Sequence, residues 1–152
     1  MDLDFNGKSV LVVGGSSGIG NGIARAFLDR GARVSVWGSR AKAADYAGES
    51  GSDLGGIEYC CVDLAQPGAV EAAPSHASLD VLVLAQGTVL YERREFSMHG
   101  FRQVLEVNLM SVMACVEKFE APLAASRGSL IMIGSVASFR ATLGNPGYSA
   151  SK

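Results

Sequence analysis

Tyr148 and Lys152 stand four residues apart in Gly147-Tyr148-Ser149-Ala150-Ser151-Lys152, the last residues of a 152-residue sequence. On a helix, residues i and i+4 share a face, so the phenol and the ammonium would lie side by side. A phenol has a reference pKa of about 10, too high for a base at neutral pH, and a neighbouring ammonium favours its ionised form. Such a pair can exchange a proton with a substrate oxygen. Ser135, at the end of an apolar run, could offer its hydroxyl to the same oxygen. Because Tyr-x-x-x-Lys often arises by chance, its meaning depends on the elements that carry it.

A second cluster is Gly14-Gly15-Ser16-Ser17-Gly18-Ile19-Gly20, in which Gly14, Gly18 and Gly20 are spaced G-x-x-x-G-x-G. Glycines at these places allow a tight turn, close approach of a pyrophosphate and close helix-strand packing. Phosphate would then sit on a helix N-terminus, where free N–H groups favour negative charge. A P-loop is excluded, because Gly15 and Gly20 have its spacing but Asn21-Gly22 follow in place of Lys-Ser/Thr. The competing reading is a glycine-rich turn that only connects two elements.

The elements around these residues alternate. Ser9–Gly15 reads as a buried strand, residues 18–31 as a helix with Ile19, Ile23 and Phe27 on one face, and Ala32–Gly38 as the next strand. A weak helix near 40–47 precedes Gly56–Leu64, a polar turn after Pro67 precedes Leu79–Gly87, and a long helix over about 98–124 precedes Gly128–Val136. Five strand-helix repeats with strands apolar on both faces predict a parallel sheet covered by helices, a doubly wound Rossmann-like α/β fold. No linker or short repeat divides the chain, so it is expected to form one dinucleotide-binding domain over 1–152.

The end of the second strand should distinguish the dinucleotides. An NAD site places an acid there for the ribose 2′-hydroxyl, whereas this chain has Gly38-Ser39-Arg40. Arg40 can hold a 2′-phosphate through charge-assisted hydrogen bonds and Ser39 can donate another. The expectation is NADP(H) in preference to NAD(H), against the alternative that Arg40 is an ordinary solvated residue.

Other classes find little support. Thirteen basic and fifteen acidic residues leave no dense basic cluster for nucleic acid. No run reaches the length of a membrane span and no signal peptide opens the chain, which points to a cytoplasmic protein. Cys60, Cys61 and Cys115 are odd in number and are expected to be reduced core residues. His76 and His99 have no partner at ligand spacing, so no metal site is expected.

Taken together, these motifs resemble the classical short-chain dehydrogenase/reductase family over about residues 6–152. Gly14–Gly20 is similar to its cofactor loop, Val62-Asp63-Leu64 to the segment against adenine, Val107-Asn108-Leu109 to the segment carrying the catalytic asparagine, and Ser135 lies thirteen residues before Tyr148. The resemblance implies cofactor contacts from Gly14, Ser16, Ser17, Gly18, Ile19, Gly20, Ser39, Arg40, Asp63, Leu64, Gly87, Tyr148 and Lys152. It also implies that Tyr148 exchanges a proton with a ketone or secondary alcohol while hydride passes to or from nicotinamide. Ser135 would polarise the substrate oxygen, Lys152 would bind the nicotinamide ribose, and Asn108 would hold a relay water.

Two departures stand out: Val13 where the family has Thr, and Leu84-Ala85-Gln86-Gly87 where it has Asn-Asn-Ala-Gly. Loss of both sides of one polar contact suggests exchange for an apolar one. The family also continues past this lysine, so the domain is expected to be incomplete at its C-terminus. A non-catalytic dinucleotide-binding module or inactive fragment is therefore the alternative to an oxidoreductase. The resemblance implies a homodimer or homotetramer, and the face Phe101, Leu105, Leu109 and Val112 of the long helix suits either that interface or the sheet.

Overall fold

The computed structural model describes residues 3–140 and 142–152. Five strands form one parallel sheet in the order β3-β2-β1-β4-β5: β1 is Ser9–Val13, β2 Arg33–Gly38, β3 Glu58–Cys61, β4 Val81–Leu84 and β5 Ser129–Met132. The chain starts in the middle, winds outward to β3, then crosses to β4, so the order reverses between β1 and β4. In open α/β sheets ligands bind outside the strand C-termini at such a reversal.

Alternation along β1 explains the two-sided core. Leu11 and Val13 pack with Trp37, Leu82, Leu84, Cys115 and Phe119 on one face. Val10 and Val12 pack with Ala24, Val34, Val36 and Val83 on the other. Successive side chains of a strand point to opposite faces, and helices cover both. Helix α1 (Gly18–Leu28) covers the second face, while α2 (Ala69–Ala72) and α4 (Ser111–Ser126) cover the first. Trp37, 1% exposed, sits 5.6 Å from the Phe119 ring.

Burial on both faces holds for the three central strands and fails at the edges. Leu130, Ile131 and Met132 of β5 are 39%, 40% and 61% exposed, and β3 is only half-buried. Cys115 is a core residue as expected, whereas Cys61, on edge strand β3, is exposed. On α1, Ile23 and Phe27 pack against the sheet, but Ile19 is 72% exposed.

The long helix forms with one interruption. Helix α3 (Met98–Leu105) passes into a π-helical turn over Glu106–Met110 before α4 begins. The wider turn breaks the 3.6-residue period, and the buried line becomes Val104, Asn108, Ser111, Cys115 and Phe119. Leu109, expected on the apolar face, is 46% exposed, and Asn108 is turned inward. Single π turns inside helices are frequent at functional sites. A short α5 (Pro146–Ser151) follows, with Pro146 at its start, where a missing N–H costs nothing.

Candidate active site

The loop from β1 into α1 lies at the sheet's reversal. Gly14 adopts φ +75°, and a Cβ there would lie 2.8 Å from Gln86 Cα. A side chain at this position would therefore force β1 and β4 apart. A Cβ on Gly20 would run into the Gly14 carbonyl, so α1 can start this close to the strand only with glycine. Ser17 caps α1 in extended conformation, yet its side chain makes no cap hydrogen bond, and the first turn contains no acid. An anion placed there would meet uncapped N–H groups.

From this loop a cleft of about 870 Å³ runs in both directions along the strand ends. Its wall contains Gly14, Ser16, Ser17, Ile19, Gly20, Ser39, Arg40, Asp63, Leu64, Gly87, Tyr148 and Lys152. Twelve of the predicted positions, scattered over the sequence, thus share one surface. The exposure of Ile19 follows from this placement: its side chain lines the cleft rather than the core. Gly18, φ +55° and open to solvent, belongs to the same loop. Its N–H donates to Gly51 O at 2.8 Å.

Arg40 and Lys152 are the two cations of the wall, one at the β2 end and one between β4 and β5. Arg40 Nη1 lies 2.6 Å from Glu49 Oε1, and its guanidinium carbon is 4.3 Å above the Tyr46 ring. Tyr46 is buried, and its hydroxyl accepts from Arg40 N–H at 3.3 Å. Burial opposes ionisation of Tyr46, but hydrogen bonds from Ser16, Arg40, Tyr59 and Ser39 outweigh it and lower its pKa. Asp63 accepts from Ala65 N–H at 3.1 Å and Gln66 Nε2 at 3.2 Å, which fixes the turn after β3.

At the other end, Lys152 Nζ donates to Gln86 O at 3.3 Å and Ile133 O at 3.2 Å. The ammonium is held between the ends of β4 and β5, one helical turn from Tyr148, as Lys152 N–H donates to Tyr148 O at 3.1 Å. Gly87 lies against it: a Cβ there would sit in ordinary contact, 3.4 Å from Lys152 Nζ.

Asn108 and Ser135 are placed differently from the other candidates, outside the residues of the cleft wall. Asn108 is 3% exposed; its Oδ1 accepts from Thr88 N–H at 2.7 Å. Its Nδ2 donates to Thr88 O at 2.9 Å and Ser151 Oγ at 3.0 Å. The carboxamide therefore ties the segment after β4 to α5. Ser135 Oγ accepts from Ala137 N–H at 3.1 Å and caps a short 3₁₀ turn. Its neighbour Gly134 lines the cleft.

Glu95 and Tyr46 carry no readable sequence signal, and Gln86 is marked only by its departure from Asn-Asn-Ala-Gly. Glu95 is 1% exposed; Oε1 accepts from Leu90 N–H at 3.0 Å and Asn145 Nδ2 at 3.2 Å, and Oε2 from Tyr148 N–H at 2.9 Å. Tyr46 closes the β2 end of the cleft. Gln86 donates from Nε2 to Ser111 Oγ at 3.1 Å, while its buried Oε1 has no partner among the described residues. Asn145-Pro146 could have been recognised as a helix start. Of the residues in the two departures, Val13 and Leu84 are apolar and buried, 0% and 2% exposed, whereas Gln86 is polar and buried, 4% exposed.

The chain belongs to the short-chain dehydrogenase family, whose profile, "short chain dehydrogenase", matches residues 8–152. It is 31% identical over 163 residues to the 3-oxoacyl-[acyl-carrier-protein] reductase FabG of Chlamydia pneumoniae, covering 100% of this chain and 64% of that protein. To the L-fucose dehydrogenase of Mus musculus it is 35% identical over 139 residues, covering 87% and 50%. Among solved structures, the Pseudomonas aeruginosa RhlG/NADP active-site complex superimposes with TM-score 0.77 at 29% identity, covering 97% of this chain and 62% of that one. The Thermoplasma acidophilum aldohexose dehydrogenase gives 0.79 at 27%, covering 96% and 56%. The chain thus spans 64% or less of the length of these relatives. Among the described residues no helix is long and apolar enough to cross a membrane.

Proposed function

We propose that this chain is the dinucleotide-binding domain of an NADP(H)-preferring oxidoreductase that interconverts a ketone and a secondary alcohol. The observation that carries the reading is the single cleft joining Ser39 and Arg40, across the glycine loop, to Tyr148 and Lys152. The residues fit such a cofactor: the α1 start has no side-chain cap, glycines clear its approach, and a cation stands at each end. Bound cofactor would supply or take up hydride. Tyr148 Oη then gives its proton to the substrate oxygen in reduction, or takes it in oxidation. Lys152, anchored by two carbonyls, keeps a positive charge on the Tyr148 face of α5. Asn108 holds α5 against the β4 end through Ser151, and Ser135 stands at the β5 end for the substrate oxygen.

We read the enzyme as cytoplasmic and as a homodimer or homotetramer, in which the exposed Leu109, Met110 and Met113 would be covered. A second reading, a dinucleotide-binding module without catalysis, is favoured by the local hydrogen bonds that occupy Ser135 Oγ and the Asn108 carboxamide. Turnover over a panel of ketones, with NADPH binding measured separately, tests both. Tyr148→Phe is expected to abolish turnover and keep NADPH binding. Turnover that survives the substitution sinks the mechanism, and a parent that binds NADPH yet reduces nothing favours the second reading.

A further inference from the structure

The connection between β2 and β3, residues 39–57, is fastened to the cofactor loop at several points. Gly51 O accepts from Gly18 N–H, while Asn21 and Asp53 exchange two hydrogen bonds of 2.9 Å each. Arg25 adds a 2.6 Å bond to Gly55 O. Within this strap, Glu49 N–H donates to Tyr46 O at 3.2 Å, which fixes Glu49 one turn beyond the buried tyrosine. The Glu49 carboxylate then meets Arg40 at 2.6 Å, with the two side chains 44% and 40% exposed. The guanidinium is thus held edge-on by an acid and face-on by the Tyr46 ring.

We propose that Glu49 is a specificity-determining residue, which sets the balance between NADP(H) and NAD(H) by competing with the 2′-phosphate for Arg40. The inference rests on the NADP(H) reading above. A 2′-phosphate entering beside Ser39 and Tyr46 seeks the same guanidinium edge that Glu49 occupies, and it carries like charge to Glu49. The 2′-hydroxyl of NAD(H) needs no cation and meets no repulsion. Removing the carboxylate therefore shifts the balance toward NADP(H).

The test is the dissociation constants of NADPH and NADH, measured by calorimetry on the parent, Glu49→Gln, Arg40→Gln and the double variant. Glu49→Gln is expected to tighten NADPH by up to about fivefold, the upper scale of one exposed ion pair, with NADH unchanged or weakened. In the Arg40→Gln background the same substitution should shift the ratio less, because only the direct repulsion between Glu49 and the phosphate remains; the difference between the two backgrounds measures the coupling of the pair. An unmoved NADPH/NADH ratio, or weaker NADPH binding in Glu49→Gln, overturns the inference while leaving the cofactor reading intact. A parent that binds neither dinucleotide overturns the cofactor reading and the inference together.

Discussion

Replacing Glu95 by alanine should destabilise the fold far more than replacing any surface acid. Its carboxylate accepts from Leu90 N–H at 3.0 Å and Tyr148 N–H at 2.9 Å, and its residue is 1% exposed. Alanine strands both backbone donors away from water, at about 1–3 kcal/mol each, or about 2–6 kcal/mol together. The third donor, Asn145 Nδ2, adds little because it keeps Leu90 O at 3.1 Å. Against a typical domain stability of about 5–15 kcal/mol, this is a large loss. Glutamine keeps one accepting oxygen but turns an NH₂ toward a donor, so about 1–3 kcal/mol is expected. Urea unfolding followed by fluorescence of the single tryptophan, Trp37, which is buried, reads the change directly. Exposed Glu120→Ala is the control, expected within about 0.5 kcal/mol of the parent. A Glu95→Ala protein equally close to the parent would refute the claim that three converging donors make this carboxylate a structural tie for α5.

Two further outcomes follow from the same geometry. Val13→Thr places a hydroxyl in a site 0% exposed, and is expected to be neutral or destabilising by up to about 3 kcal/mol in urea unfolding. Clear stabilisation would mean that a polar contact is missing, not replaced. The Ser9 N–H and the Lys8 ammonium, each at 2.9 Å, hold Asp80 below its ordinary value of 3.8. Because the folded value is the lowered one, the stability it contributes is present above 3.8 and lost as pH falls through the folded value. Tm measured against pH should therefore decline in that acid range, less steeply in Asp80→Asn; an identical slope would remove Asp80 from the explanation.

Most of the fold was legible because β1, β2 and β4 are apolar runs ended by glycine or a small residue, and because Gly14, Gly18 and Gly20 mark the turn between a strand and a helix. The site's outline was legible for the same reason: strand ends fall next to each other once the sheet order is known. What periodicity missed was the π turn over 106–110. Read at 3.6 residues per turn, Leu109 belongs to the apolar face; the wider turn exposes it and buries Asn108 instead. Glu95 was illegible because its donors come from Leu90, Asn145 and Tyr148, and only the tertiary fold assembles them. Tyr46 lay in a segment that looked like a weak helix, and Glu49 just beyond it. Their role at Arg40 depends on the strap's closure onto Gly18 and Asn21, which no local pattern encodes.

The most direct test of the central claim, that one cleft binds the dinucleotide from Arg40 to Lys152, is amide chemical-shift mapping during an NADPH titration. Saturable shifts concentrated at Gly14, Ser17, Ile19, Arg40, Gly87 and Lys152 are expected. Absence of saturable shifts, or shifts confined to residues away from these strand ends, would contradict it.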